Sequence, residues 1–153
     1  YQMLERPLDK SYVLSFLQEN KMAILSTVNE DGYPDAAPIY YLVRYDFQLS
    51  FVTAQETAKS KNMLINNHVV LTVTNEEKGE TVFIRGVASV STNGLEKMYE
   101  KLAKRMNYST GFIESLPAFK HKNKIMHVVT VVPSEIRMRV YGVGYFNEKL
   151  LTL

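Results

Sequence analysis

The sequence predicts a mainly β protein: a small closed or partly open antiparallel barrel of six or seven strands, with three short helices. Apolar segments of strand length follow one another at short intervals, separated by turns that carry Gly, Asn and Asp. Helical spacing of apolar residues is confined to a few short stretches. The first three strand-like segments have no helix between them, which disfavours parallel βαβ organisation.

"LDKSYVLSFLQEN" reads as the first helix, with Asp9 as N-cap and Val13, Phe16 and Leu17 as its apolar stripe. "MAILSTV" (22–28) is the first strand, and "NEDG" (29–32) a turn in which Gly32 tolerates positive φ. "PDAAPIYYLV" (34–43) reads as one long second strand, whose Pro34 and Pro38 suggest an edge or irregular start. After a turn at 44–47, "QLSFVT" (48–53) is the third strand, and tight turns imply an antiparallel meander. A short helix at about 58–66 precedes the strand "VVLTV" (69–73). Beyond the polar loop 75–80, "TVFIRGVASVS" (81–91) places Val82, Ile84, Ala88 and Val90 on one face, and Gly86 marks a bulge or a close backbone approach. In 94–106, Leu95, Met98, Tyr99, Leu102 and Met106 form the clearest helical stripe. Residues 107–124 read as a long polar connection. Residues 127–146 read as a strand, a break at Pro133, and a second strand with Ile136, Met138 and Val140 opposite Arg137, Arg139 and Tyr141.

The 153 residues suit one domain spanning 1–153, and 46% hydrophobic with 22% charged residues is ordinary globular composition. Eighteen basic against sixteen acidic residues do not make a nucleic-acid protein by bulk charge. The absence of cysteine excludes disulfides, a thiolate nucleophile and a Cys-ligated metal, and fits a cytoplasmic location. No apolar run approaches the ~20 residues of a membrane span, and no signal-peptide pattern opens the chain as it stands. Because the first residue is Tyr1 rather than Met, a few residues are expected to precede it.

No nucleophile–base set stands out. His68, His121 and His127 match no zinc spacing, so no metal site is expected, and the carboxylates are scattered through turns and helix surfaces. The stretch that carries chemistry is "TAQETAKSKNML" (53–64), which gathers Thr57, Lys59, Ser60 and Lys61 at a helix start. Thr57 caps the helix, and the free N–H groups of the first turn carry the positive end of the dipole. A phosphate there would gain a cation, a hydroxyl and several donors. A solvated surface helix start looks the same in sequence, and lysines at that end cost only ~0.3–1 kcal/mol each.

The succession "FLQENKMAILSTVNEDGYPDAAPIYYLV", "LSFVTAQETAKSKNMLINNHVVLTV" and "TVFIRGVASVS" resembles the FMN-binding split-barrel family, the pyridoxamine 5′-phosphate oxidase-like proteins. The likeness covers about residues 12–92: an apolar strand, a D-G turn, a G-x-P start, T-x-x-x-T-x-K-x-x-N, then a strand with a G-x-A step. It implies an antiparallel, Greek-key-like split barrel that binds FMN as a homodimer, with the cofactor in the groove between subunits. By the same resemblance, Thr57 and Lys59 fall on the flavin-phosphate positions, and Val52 and Thr53 line the FMN. Pro38, Ile39, Tyr40 and Tyr41 would run along the ring and ribityl chain, and Thr81 falls on a polar contact to the flavin.

The chain departs from true pyridoxamine phosphate oxidases in having Pro38 and Val43 where those begin the second strand with Arg and end it with Lys. It also lacks Trp and the late substrate-phosphate motif. The resemblance therefore implies an FMN-dependent oxidoreductase acting on an unidentified small molecule, with NAD(P)H as a candidate electron donor and no catalytic side chain identified. Since FMN brings its own redox chemistry, a triad, thiol or metal is not required of the protein. The competing reading keeps the fold as a non-catalytic flavin-, F420- or haem-binding stress or sensor module. Binding of single-stranded nucleic acid is disfavoured by near-neutral charge despite ten Tyr and seven Phe.

Overall fold

The computed structural model describes residues 8–106, 125–142 and 145–153. In chain order these form α1 (Lys10–Glu19), β1 (Met22–Val28), β2 (Pro34–Tyr40), β3 (Leu42–Val43), β4 (Leu49–Ala54) and α2 (Ala58–Ile65). There follow β5 (His68–Asn75), β6 (Glu80–Ser91), α3 (Leu95–Arg105), β7 (Met126–Gly142) and β8 (Tyr145–Leu151). All strands join one antiparallel sheet in the order β2-β1-β5-β6-β7-β4-β3, with β8 paired to the far half of β7. The two ends of that path, β2 and β3, are separated in sequence only by Tyr41. The sheet must therefore curl until its ends meet, although no strand ladder closes the seam. This is a split barrel.

The curl explains why the predicted long second strand is two strands. Residues 34–40 pair with β1, whereas Leu42 and Val43 pair with β4. Tyr41, between them, turns its side chain inward and is fully buried. β2 lies at the end of the sheet path, as Pro34 and Pro38 require.

A second correction concerns Pro133, which does not break the strand; β7 runs unbroken for 17 residues. Arg85 faces Glu135 but Gly86 faces Pro133, leaving Ser134 as the extra residue of a bulge. The bulge inverts the side-chain phase: Val129 and Val131 point into the core before it, Ile136 and Met138 after it. Pro133 lies where one edge of β7 changes partner, from β4 (ladder ending at Val131) to β8 (ladder starting at Ile136), so no ladder bond needs its missing N–H on that edge. Gly86 is both bulge and close approach, since a Cβ there would lie 2.6 Å from the Val132 carbonyl oxygen.

The strand count among the described residues is eight: the predicted second strand divides into β2 and β3, the two strands expected on either side of Pro133 are the single β7, and β8 is a separate strand that the sequence does not mark off from it. The connection 107–124 lies outside the described residues. The three helices, the Asp9 cap and the positive φ of Gly32 follow the sequence reading.

The main core lies inside the barrel and is built from Leu25, Phe51, Leu71, Ile84, Ile136 and Met138, with Val13, Phe16 and Leu17 of α1 packed on it. A smaller cluster under α3 joins Met98 and Leu102 to Val128 and Val52. Among the described residues no helix is long and apolar enough to cross a membrane.

Candidate functional site

Thr57 caps α2 in an extended conformation, its Oγ1 accepting from the Ser60 N–H at 3.3 Å. The same hydroxyl donates to the Ala54 carbonyl at 2.8 Å. A threonine hydroxyl has one proton, so the 3.0 Å contact between the Thr53 and Thr57 hydroxyls has Thr53 as donor. The N–H groups of Ala58 and Lys59 have no acceptor within the helix, as at any helix start.

Lys59 sits in that first turn, half-buried, and burial holds its pKa below the ordinary lysine value. Among the described residues no carboxylate forms an ion pair with it. The ammonium therefore bears both a desolvation cost and the positive end of the helix dipole. An anion beside it would relieve both.

The other two members of the sequence cluster turn away. Ser60 is completely buried, its Oγ 3.2 Å from Nδ1 of the buried His127 on β7. Lys61 is exposed and lines a groove of about 710 Å³ with Glu30, Asp31, Asp35 and Glu56. His127 is thus a packed histidine bonded to a serine, while His68 is exposed at the start of β5.

The remaining candidate residues divide between two faces. Pro38 and Tyr40 are exposed on the outer face of β2, whereas Ile39 and Tyr41 point into the core. The Tyr41 hydroxyl lies 2.7 and 2.5 Å from the Leu17 and Asn20 carbonyls and shares its one proton between them, and burial pushes its pKa well above the ordinary tyrosine value. As a side chain, Tyr41 is an anchor for the end of α1; of the two tyrosines, Tyr40 is the one at the surface. Val52 is turned towards α3, in the small cluster, and Thr53 is buried behind Thr57. Thr81 is half-buried on the outer face of β6, its hydroxyl 3.1 Å from that of Thr74.

Register places Pro38, Tyr40 and Thr81 on a shared surface. Pro38, Ile24, Thr72 and Phe83 form one row across β2, β1, β5 and β6. Tyr40 and Thr81 lie two residues from that row, on the same outer face. Further along this face, a groove of about 610 Å³ is lined by Ser26, Val28, Val70, Arg85 and Val87, among others. Arg85 is largely exposed there and pairs with Glu135 at 3.5 Å. Thr53, by contrast, pairs with His127, next to the residue that faces Ser91 at the end of β6. Thr57 and Thr81 are therefore at opposite ends of the barrel wall, and within one chain they do not converge.

Two arrangements have little sequence signal. One is the polar seating of α2, described below. The other is Arg105, whose Nη2 donates to the Leu17 and Asn20 carbonyls at 3.0 and 2.7 Å while its guanidinium lies 5.0 Å from the centre of the Tyr41 ring. Its position three residues after Leu102, on the apolar side of α3, was the available hint.

Comparison with known proteins agrees with this architecture. Among solved structures, a Listeria innocua protein provisionally named a pyridoxamine 5′-phosphate oxidase superposes with a TM-score of 0.65 at 23% identity, covering 84% of this chain and 96% of its own. An F420 reductase matches with a TM-score of 0.67 at 21% identity, covering 80% and 93%. HutZ, a haem storage protein of Vibrio cholerae, matches with a TM-score of 0.64 at 15% identity, covering 82% and 91%. At these identities the likeness shows the fold alone. No functionally curated protein matches the sequence. The sequence model described as pyridoxamine 5′-phosphate oxidase matches residues 10–139, most of the barrel, and the chain belongs to that family.

Proposed function

We propose that the protein binds FMN and works as an oxidoreductase on a small molecule, with a nicotinamide cofactor as electron donor. The observation that carries this reading is Lys59: a half-buried cation, without an ion-pair partner among the described residues, at a capped helix start. The residues fit a phosphate. Lys59 supplies the charge and the Ala58 and Lys59 N–H groups supply donors. The Thr57 hydroxyl donates to a phosphate only by leaving the Ala54 carbonyl. When bound, the flavin supplies hydride and electron transfer, so the protein's own work is to bind, orient and shield. Pro38 and Tyr40 offer an exposed apolar and aromatic wall.

A homodimer completes the site in this reading. The outer face of β2, β1, β5 and β6 carries exposed Met22, Ile24, Tyr40 and Val87, an apolar surface suited to a second copy. The separation of Thr81 from Thr57 within one chain fits a cofactor that takes each from a different subunit.

Titration with FMN, followed by flavin fluorescence, tests the proposal. Micromolar or tighter binding is expected, and Lys59→Ala should cost ~1.5–3 kcal/mol, roughly tenfold or more in affinity. Unaltered binding by that variant would refute the phosphate role. The F420 reductase and haem storage neighbours support a second reading, a carrier of another cofactor on the same fold. F420 also presents a phosphate and would show the same Lys59 dependence. Haem titration with no flavin binding would favour the carrier, and NAD(P)H-driven bleaching of a bound flavin would favour the enzyme.

A further inference from the structure

Helix α2 is seated by polar bonds where a short helix ordinarily presents an apolar face. Its buried residues are Ser60, Asn62 and Met63. The Asn62 side-chain amide donates to Thr27 Oγ1 at 3.0 Å and to Asp35 Oδ2 at 2.8 Å. Thr27 and Asp35 face each other across β1 and β2. Asn62 thus spends both amide protons straddling one cross-strand pair. At the other side of the helix, Ser60 meets His127 of β7, and Thr57 meets Thr53 of β4. In the sheet path, β2 and β1 lie at one end and β7 and β4 towards the other. The helix therefore ties together two parts of the barrel wall that no strand ladder joins.

We propose that Asn62 is a positioning residue for the anion site. Its two bonds set how α2 lies against the β1–β2 hairpin, and Lys59, three residues earlier on the same rigid turn, is held half-buried as a consequence. Side-chain bonds have strict distance and angle requirements, unlike apolar packing, so they fix the rotation of a helix as well as its contact. Asn62 is too far along the helix to serve a phosphate at its start directly. The inference rests on the phosphate reading of Lys59 and assigns a role to the asparagine that closes T-x-x-x-T-x-K-x-x-N.

The test compares FMN with riboflavin, which lacks the phosphate. Both affinities are measured for the wild type, Asn62→Ala, Thr27→Val and Lys59→Ala, with circular dichroism and thermal melts establishing that each variant folds. Wild type should prefer FMN. In Asn62→Ala that preference should fall by about tenfold, as in Lys59→Ala, while riboflavin affinity stays within about twofold. A merely structural loss would weaken both ligands alike. Thr27→Val removes one acceptor and keeps the side-chain volume; it should lower the preference part of the way, and decides the matter should Asn62→Ala fail to fold. A folded Asn62→Ala, or failing that a folded Thr27→Val, that keeps the wild-type preference overturns the positioning role and leaves the phosphate reading intact. A wild type with no preference for FMN over riboflavin overturns both.

Discussion

Lys59 holds its charge where neither solvent nor a carboxylate fully compensates it, and this gives the proposed site a pH signature. Burial lowers the pKa of the free site below the ordinary lysine value; a bound phosphate raises it again. A group whose pKa rises on binding contributes its full affinity below the free-state pKa, and that contribution is lost progressively as pH rises from there through the bound-state pKa. Above about pH 7, where a phosphate monoester is mainly a dianion, FMN affinity should therefore hold level and then begin to fall at a pH below the ordinary lysine range. The same titration of Lys59→Ala should lack this step, and an identical step in the variant would assign it to another group. Tyr41 and Arg105 show the contrary case, charge chemistry put to structural use. Both converge on the Leu17 and Asn20 carbonyls, and so close the C-terminal end of α1. The family resemblance sets Tyr41 beside Tyr40 along the flavin; alternation sends the two neighbours to opposite faces, and Tyr41's surroundings come from α1 and from Arg105, 64 residues away.

Among the elements, β6 and β7 make the longest pairing, and its character is set at Gly86, Pro133 and Ser134. Ser134 donates its hydroxyl to the Arg85 carbonyl at 3.2 Å, holding the extra residue of the bulge. Gly86→Ala would place a methyl group 2.6 Å from the Val132 carbonyl oxygen and 2.7 Å from Val131 Cγ1. Backbone and a packed core side chain leave little room to yield, so a loss of about 1–3 kcal/mol is expected, read as a lowered denaturation midpoint. An unchanged midpoint would mean that the bulge opens freely. The glycine was legible in sequence because its neighbours alternate cleanly around it. The bulge on β7 was less so. Its phase inversion looks locally like a broken strand, and only the two-against-one pairing with β6 shows that the ladder continues.

For the molecule as a whole, the proposed dimer rests on the exposed apolar face of β2, β1, β5 and β6. Ile24 lies centrally in the row Pro38, Ile24, Thr72, Phe83 and is 38% exposed. In the dimer reading, Ile24→Glu buries a charge without a partner. Sedimentation velocity should show a wild-type dimer and a monomeric variant, with FMN affinity falling alongside if the partner completes the site. A wild type that sediments as a monomer would remove the second subunit from the proposal. The surface fold of each monomer should be little altered, since the side chain points outward.

Local information alone determined the mainly β class, the three helices, the cap at Thr57 and the place of Lys59 in the first turn of α2. Each follows from spacing within a few residues: apolar periodicity, a hydroxyl before a helix, Gly or Asp at a turn. Only tertiary structure decided the split of 34–43 around Tyr41, the unbroken course of β7, and the division of the candidate residues between surface and core. It also decided that Ser60 and Asn62 face buried partners on distant strands while Lys59 does not. The physical reason is closure. When the sheet curls until β2 and β3 meet, each residue's surroundings come from strands far away in sequence, and short-range patterns carry no record of them.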